Sequence, residues 1–321
     1  MKKSLLSVDD SFFRDEEIDG FLVPEKMKRF WMCGLEVLER FNIICRELGI
    51  SYFACWGTLL GAIRHGNYIP WDDDIDIIMK RRDYNILVDF YNKNGFMDDM
   101  VLLNRLVVGN YENLTARVIN ATSYSTQADR LMMYHGCPYV NGLDIDVLDK
   151  KNPNKDDDDL QMTLIDKVLE AAVVFKAYEE ESVDENGKTV EEKDVKEMIE
   201  LVEQTCGITV NRNESLYVQM SRLENQLAQI YEDIDTDTLH IVSIRSALDR
   251  NAAQFKSSLF DDNIWVPFGP TKISVPIGYQ EILTRQYGSD YLTPHNRKGA
   301  HDYPLYKKQD EELDKLGVAH G

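Results

Sequence analysis

The sequence predicts a mixed α/β fold, in which helices flank a sheet of short strands and an acidic helical insertion interrupts the core. Residues 25–48 carry apolar side chains at the spacing of a helical face, and Gly49 stands where such a helix would end. Residues 74–78 alternate acidic and β-branched side chains, as a half-buried strand does. Residues 151–203 hold 17 acidic residues against 7 lysines, half of the net charge of the chain, which is typical of a solvated helical segment.

The other elements follow from turn signals and from runs of β-branched and aromatic residues. The pattern predicts strands at 50–56, 75–79, 100–108, 114–119 and 143–148, and helices at 59–65, 213–258 and 279–287. Gly66-Asn67 ends the first of these helices and Gly288 the last.

Three segments organise the chain: a core at 1–150 that includes the N-terminal helix, an acidic helical insertion at 151–260, and a segment at 261–321 that completes the core. Within the insertion, Asp156–Asp159 fits either a cation site or an acidic helix start that suits the helix dipole, and the second interpretation is favoured. An exposed loop is expected around Asn186-Gly187. At 43% hydrophobic and 29% charged, the 321 residues contain enough apolar material for a buried core.

Charge excludes two classes of function. A net charge of −20 repels phosphate polymers, which argues against a protein that coats nucleic acid or an anionic membrane. A small anionic substrate is still allowed, because it needs only local cations or a metal. No apolar run approaches the roughly 20 residues needed to span a bilayer, and the apolar stretch at the start is too short for a signal peptide.

Cysteine usage indicates a reducing compartment. The cysteines are odd in number and scattered, with no C-x-x-C pair, as expected of thiols that fill core space: Cys33, Cys45, Cys55, Cys137 and Cys206. We therefore expect a cytoplasmic protein.

The segment 56–78 carries most of the chemical information. Asp74 and Asp76 are two positions apart in a predicted strand, so they share one face with α-carbons about 6.6 Å apart. Neighbouring carboxylates repel and raise each other's pKa unless a cation lies between them, and Mg²⁺ or Mn²⁺ is the natural occupant. Asp144 and Asp146 repeat the alternation on a later strand, and either one would complete the site.

Gly57 and Thr58 supply the other half of the predicted site. A glycine after a strand lets the backbone approach a ligand closely, and the N–H groups of the next helix, with the Thr58 hydroxyl, form a cradle for phosphate oxygens. Such a cradle upstream of paired acids is typical of metal-assisted phosphoryl or nucleotidyl transfer. Arg64, Arg117 and Lys272 are candidate phosphate contacts, although Arg64 is equally well explained as a surface residue that ends a helix.

A calcium loop is the competing interpretation of the acidic run. Asp72, Asp74 and Asp76 have the D-x-D-x-D spacing of such a loop. The interpretation fails because Ile77 stands where the loop needs glycine and Asp83 where it needs glutamate. The isoleucines between the acids also indicate partial burial, where an acid cluster without a metal is costly.

The string GTLLGAIRHGNYIPWDDDIDI, residues 57–77, closely resembles the signature of the LicD family, which includes the fukutin-related proteins. Residues 143–145 (LDI) resemble the family's I-D-I-F-P-L-D block, and residues 276–288 its C-terminal P-x-x-Y-x-x-x-L-x-x-x-Y-G element. The resemblance covers roughly 38–150 and 265–301, and its long string is far more specific than a short motif.

The resemblance implies a nucleotidyltransferase-type mixed sheet flanked by helices, and a transferase that uses Mg²⁺ or Mn²⁺. The implied reaction moves a phosphorylated alcohol, such as phosphocholine, from a CDP-linked donor to a cell-surface glycan. Gly57 and Thr58 match the family's phosphate turn. Asp74, Asp76 and Asp144 match its metal-binding acids. The expected partners are the donor, the glycan acceptor and, peripherally, enzymes of glycan assembly.

The expected mechanism is in-line attack by the acceptor hydroxyl. Either Asp144 or Asp146 takes its proton, or the metal makes a dedicated base unnecessary. A choline-like head group would need an aromatic cage, for which Tyr68, Trp71 and Trp265 are candidate walls.

Two departures from the family pattern leave questions open. Asp146-Val147 stands where the family has Phe-Pro, so the third acid is either Asp144 or Asp146. Trp56 stands where many members have glycine, which bears on the donor pocket. Two other functions also fit the sequence: a true nucleotidyltransferase that adds NMP to a small molecule or protein, and a non-catalytic scaffold of glycan assembly.

Overall fold

The computed structural model describes residues 3–109, 111–183, 187, 189–294 and 304–315. The chain divides into two units, and the first unit comprises the residues up to 102, residues 117–146 and the residues from 258 onward. The second unit comprises residues 103–116 and 147–257. It thus takes in a short stretch, 103–116, that the sequence analysis placed in the core.

Helices and strands are short except for two long helices. In chain order the elements are β1 (Glu16–Ile18), β2 (Phe21–Val23), α1 (Glu25–Leu48), β3 (Phe53–Ala54), α2 (Trp56–Arg64), β4 (Asp76–Lys80), α3 (Arg81–Asn94), β5 (Val101–Leu103), β6 (Ala116–Ile119), α4 (Ala128–Met133), β7 (Gly142–Lys150), α5 (Lys155–Glu179), α6 (Glu192–Cys206), α7 (Leu216–Ala228), β8 (Thr238–His240), α8 (Val242–Ala247), β9 (Gln254–Lys256), β10 (Asn263–Phe268), β11 (Thr271–Pro276), α9 (Tyr279–Tyr287) and α10 (Tyr306–Lys315).

The central sheet brings the two acidic strands side by side. Its strand order is β3-β4-β7-β6-β5, and β3 runs antiparallel to β4. Directly before β4, the Ile75 carbonyl accepts a hydrogen bond of 2.8 Å from the Asp144 N–H of β7. β1–β2 and β10–β11 form separate two-stranded antiparallel ribbons. The predicted mixed α/β class, with helices flanking the sheet, is confirmed.

Helix α1 is largely buried within the first unit, and it confirms the helix predicted at 25–48. Trp31, Leu38 and Phe41 are at most 2% exposed. The helix ends at Gly49, which adopts φ of 64° in the left-handed region and donates its N–H to the Arg46 carbonyl. Glycine adopts this conformation without steric cost, so the sequence specifies the stop as well as the helix.

Three predicted elements differ from the structure. The strand predicted at 100–108 is reduced to the three residues of β5. The strand predicted at 50–56 is reduced to the two residues of β3, because α2 already begins at Trp56. The helix predicted at 213–258 is wrong as a single element: it contains α7, β8, α8 and β9. The run Asp235-Thr236-Asp237 lies directly before β8, and such residues favour turns over helix interiors.

The second unit has its own apolar core, formed mainly by α5, α6 and α7. Asn154 caps α5 by accepting N–H bonds from Asp156 and Asp157, which confirms the acidic helix start. Asp158 departs from the predicted solvated face: it is 3% exposed and forms a bidentate ion pair with Arg245, 2.7 Å at both oxygens. A buried carboxylate needs such a partner. Asn186 of the predicted loop lies outside the described residues.

Across the residues that the structure describes, no helix combines the length and the apolar character that a bilayer crossing requires. The five cysteines are free thiols, and all except Cys206 are buried.

Candidate active site

The start of α2 is fastened to β4 by two hydrogen bonds. The Thr58 hydroxyl oxygen accepts the Asp76 N–H at 2.8 Å, and the Cys55 N–H donates to the Asp76 carbonyl at 3.1 Å. Thr58 is 3% exposed. The predicted phosphate turn therefore lies directly beside the predicted metal-binding strand, and the Thr58 side chain holds the two together.

Five aspartates surround this junction. The pKa of Asp76 is raised well above its usual range, first by burial and then by the charges of Asp74, Asp144, Asp146 and Asp72. Repulsion of this size requires the carboxylates to lie close together in a poorly solvated place. The structure thus brings together the aspartates of the two acidic strands.

Two of these aspartates have defined partners. Asp146 accepts the indole N–H of Trp56 at 3.1 Å, and it is 8% exposed. Asp144 pairs with Arg117, whose Nε lies 2.5 Å from its Oδ1, and the two side chains are 33% and 34% exposed. Arg117 therefore compensates the charge of Asp144, and Trp56 gives Asp146 a neutral hydrogen-bond donor.

The carboxylate oxygens of these aspartates are suitable ligands for a hard divalent cation. Mg²⁺ and Mn²⁺ prefer carboxylate oxygens, and a cation would relieve the repulsion that raises the pKa of Asp76. In the described part of the chain, however, no three His, Cys, Asp or Glu side chains stand as a ready-made ion site. The Arg117–Asp144 pair is one physical reason, since it directs a carboxylate toward a cation of the protein.

Gly57 is needed for close packing against an aspartate. A Cβ at this position would lie 2.5 Å from Asp72 Oδ2, inside contact distance. The sequence predicted that Gly57 lets a ligand approach the backbone closely. In the structure, the group that approaches it closely is the carboxylate of Asp72.

The other predicted cations lie apart from the carboxylates. Arg64 is at the far end of α2, about 10 Å along the axis from Gly57, and its guanidinium bonds the Tyr291 carbonyl at 3.3 Å. Burial lowers its pKa. Lys272 is exposed and lies beside a groove whose lining includes Glu39, Asn42 and Trp265 and none of the five aspartates.

The aromatic cage predicted from Tyr68, Trp71 and Trp265 is wrong. Tyr68 is 3% exposed, because its ring stacks on Trp31 with centroids 5.0 Å apart. Trp71 instead contacts Phe21, and Trp265 contacts Tyr52. Core packing therefore buries Tyr68, one of the three rings proposed for the cage.

Sequence reasoning missed two titratable groups beside the cluster. Asp73 is fully buried, and burial raises its pKa to about 7, although the Leu305 N–H donates to its Oδ2 at 2.7 Å. Burial also raises the pKa of Tyr287, with the charges of Asp72 and Asp76 contributing. The signals were available: Asp73 lies within the acidic triplet, and Tyr287 is the last tyrosine of the C-terminal family element.

The mixed sheet and the neighbouring acidic strands agree with a nucleotidyltransferase domain, which a family model finds at residues 49–132. The model is described as LicD/FKTN/FKRP, nucleotidyltransferase domain, and it matches about a quarter of the chain. The match includes Asp74 and Asp76 and ends before Asp144 and Asp146.

Two curated proteins resemble short parts of the chain. Lipopolysaccharide cholinephosphotransferase LicD of Haemophilus influenzae is 49% identical over 57 residues, which is 18% of this chain and 22% of that protein. The uncharacterized protein RP689 of Rickettsia prowazekii is 37% identical over 68 residues, or 19% of this chain and 26% of that protein. The chain is thus a distant homologue of the LicD cholinephosphotransferase, and it matches no more than about a quarter of the length of either relative.

Proposed function

We propose that the chain is a divalent-cation-dependent phosphotransferase that moves a phosphorylated alcohol, phosphocholine or an alditol phosphate, from a CDP-linked donor to a glycan hydroxyl. The single observation that carries the proposal is the hydrogen bond from the Asp76 N–H to the Thr58 hydroxyl, which holds the start of α2 against the acidic strand β4. Burial and the charges of Asp74, Asp144, Asp146 and Asp72 also raise the pKa of Asp76, and carboxyl groups perturbed in this way are common at functional sites. The family match and the partial similarity to a cholinephosphotransferase support this class of reaction.

Asp74, Asp76 and Asp146 are the residues we assign to Mg²⁺ or Mn²⁺. Asp146 is preferred over Asp144 because Arg117 already compensates the charge of Asp144. When bound, the ion would neutralise oxygens of the donor pyrophosphate and stabilise the charge that develops on the CMP leaving group.

The protein's own groups would orient the acceptor and remove its proton. The acceptor hydroxyl oxygen forms the new bond to the transferred phosphorus, the bond from that phosphorus to the CMP oxygen breaks, and the hydroxyl proton passes to Asp144. Arg117 holds this carboxylate in place. The first N–H groups of α2, at Gly57 and Thr58, have no partner within the helix by its geometry and would orient phosphate oxygens.

Substitution of the strand carboxylates tests the proposal. Asp74→Asn and Asp76→Asn should each lower CMP release from CDP-choline or CDP-ribitol at least about a hundredfold with circular dichroism unchanged, because each removes charge at the ion site. Asp89→Asn, an exposed aspartate of α3, is the matched control and should retain wild-type rates. Activity of wild-type size in the two strand variants would refute the assignment.

A donor labelled in both halves separates this reaction from nucleotidyl transfer. The phosphocholine label should reach the acceptor while the cytidine label is released in CMP. The opposite result would identify a true nucleotidyltransferase, an activity that the family description also allows. Calorimetry with Mg²⁺ and CDP-choline addresses the scaffold alternative, since a scaffold would bind neither.

The expected location of the reaction is the cytoplasm. Five free cysteines fit a reducing compartment, and CDP-linked donors would be encountered there. Contact with glycan-assembly enzymes would then bring the acceptor to the site.

A further inference from the structure

A pocket of about 490 Å³ with both polar and apolar walls lies in the first unit, and its lining includes Arg117, the partner of Asp144. Its walls include Arg117 of β6, the segment Thr122–Tyr124, and Leu305 and Glu312 at α10. We name it the α10 pocket. Its volume is within the range of about 300–1,000 Å³ that is usual for ligand pockets.

The α10 pocket shares Arg117 with the candidate active site. Arg117 Nε lies 2.5 Å from Asp144 Oδ1, and both side chains are about one-third exposed. Asn141, another lining residue, directly precedes β7, the strand that carries Asp144. A group held in the pocket is therefore next to the carboxylate to which we assign proton removal.

The wall made by α10 is firmly held. The Gln309 side chain accepts the Val140 N–H at 2.8 Å and donates to the Val140 carbonyl at 2.9 Å. The Tyr306 ring packs on Phe30 with centroids 5.6 Å apart, and Leu313 is fully buried. These contacts hold the α10 wall against α1 and the segment before β7, and this wall lies outside the family match at 49–132.

The lining has the chemistry of a site for a neutral ring rich in hydroxyl groups. Thr122, Ser123 and Tyr124 offer hydroxyls that both donate and accept hydrogen bonds. Arg117 is already paired with Asp144, and Glu312 offers carboxylate oxygens that accept hydrogen bonds from sugar hydroxyls. Phe30, Val140 and Leu305 supply apolar surface of the kind that the C–H face of a sugar covers.

We propose that the α10 pocket binds the sugar or alditol unit that presents the acceptor hydroxyl, and that α10 determines which acceptor is used. The proposal rests on the proposed function, which places an acceptor hydroxyl beside Asp144. It adds the place and the chemical class of that acceptor.

Two matched pairs of variants test the proposal by saturation-transfer NMR with galactose, N-acetylgalactosamine and ribitol as probes. Thr122 and Thr126 are exposed threonines of the same loop, and of the two the pocket lining includes Thr122. Thr122→Trp, which fills the pocket, should weaken probe binding at least about tenfold, whereas Thr126→Trp should not change it. Glu312→Gln should weaken binding roughly threefold to tenfold, as loss of a charged hydrogen-bond partner does, and its neighbour Glu311→Gln should not.

A parallel thermal-shift measurement with CDP-choline and Mg²⁺ keeps the two proposals separate. If the donor raises the melting temperature and no probe binds, or all variants bind alike, the acceptor pocket is refuted and the phosphotransferase is not. If probes bind as described and the donor has no effect, the pocket stands as a saccharide site and the proposed reaction fails.

Discussion

Trp56 shows how one backbone angle is tied to the candidate site. Its φ of 46° lies in the left-handed region, which costs an L-residue about 1–2 kcal/mol. Its indole N–H donates to Asp146, a carboxylate that is 8% exposed. The family resemblance has glycine at this position in many members, and glycine adopts such angles freely. The strain in this chain thus accompanies an additional contact that orients one carboxylate of the cluster.

Gly57→Ala should destabilise the protein by about 1–3 kcal/mol, because the added methyl group would lie 2.5 Å from the Asp72 carboxylate. The displaced carboxylate should also reduce donor turnover. Urea unfolding of Gly57→Ala, Asp72→Ala and the double variant measures the coupling of the two positions. The cost of the alanine should largely disappear where Asp72 is already truncated, and an equal cost in both backgrounds would show that the two groups do not compete for space.

At the scale of elements, α1 carries a buried carboxylate that holds the N-terminal segment. Glu36 is fully buried and accepts N–H bonds of 3.0 Å from both Leu5 and Leu6. It also pairs with Arg40, one turn along the helix, and lies 2.9 Å from His135 Nε2. Through these contacts of Glu36, helix α1 holds the N-terminal segment in place.

The pH dependence of stability should report on Glu36. Burial alone would raise its pKa, but hydrogen bonds from His135, the N–H groups of Leu5 and Leu6, and Ser4 lower it to about 2, from an ordinary 4.5. A lowered folded-state pKa contributes stability that is present above pH 4.5 and is lost as the pH falls toward 2. We expect the unfolding free energy of the wild type to lose about 2 kcal/mol from this source between pH 6 and pH 3.

Glu36→Gln isolates that contribution. The variant should be less stable than the wild type at pH 6, and the difference should shrink by about 2 kcal/mol at pH 3, as measured by urea unfolding. Glu47→Gln, at an exposed position of the same helix, should follow the wild type throughout. A constant difference across this range would mean that Glu36 does not titrate as the contacts indicate.

The predictable elements are those that local sequence encodes. The helices α1 and α9 were predicted with both ends, because helical periodicity runs up to a glycine at 49 and 288 in each case. β3 was predicted too long, since its two strand residues are defined by pairing with β4 rather than by their own pattern. α10 was not predicted, because its apolar residues acquire their role only by packing against α1 and the segment before β7.

The candidate site shows the same difference between features that local sequence encodes and features that depend on long-range contacts. Alternation along one segment predicted a common face for Asp74 and Asp76, although strand β4 begins only at Asp76. The pairing of Arg117 with Asp144 instead requires β6 to lie beside β7, a long-range fact of strand order that no local pattern contains. The same applies to Trp56 and Asp146, which are 90 residues apart in the chain.

At the scale of the whole molecule, the net charge of −20 opposes the binding of an anionic donor. Local groups compensate for this repulsion only over short distances. The Debye length falls from about 30 Å at 10 mM salt to about 8 Å at 150 mM, so added salt should remove the distant repulsion and leave close contacts largely intact.

The affinity for CDP-choline at saturating Mg²⁺ should therefore rise a few-fold between about 10 and 150 mM sodium chloride. Cytidine, which has no charge, is the matched control ligand, and its binding should not respond to salt. Calorimetric titration at several salt concentrations gives both trends. If the donor instead binds more weakly as salt increases, attraction by nearby cations such as Arg117 exceeds the repulsion of the whole chain, and the net charge is then no guide to how the donor reaches the site.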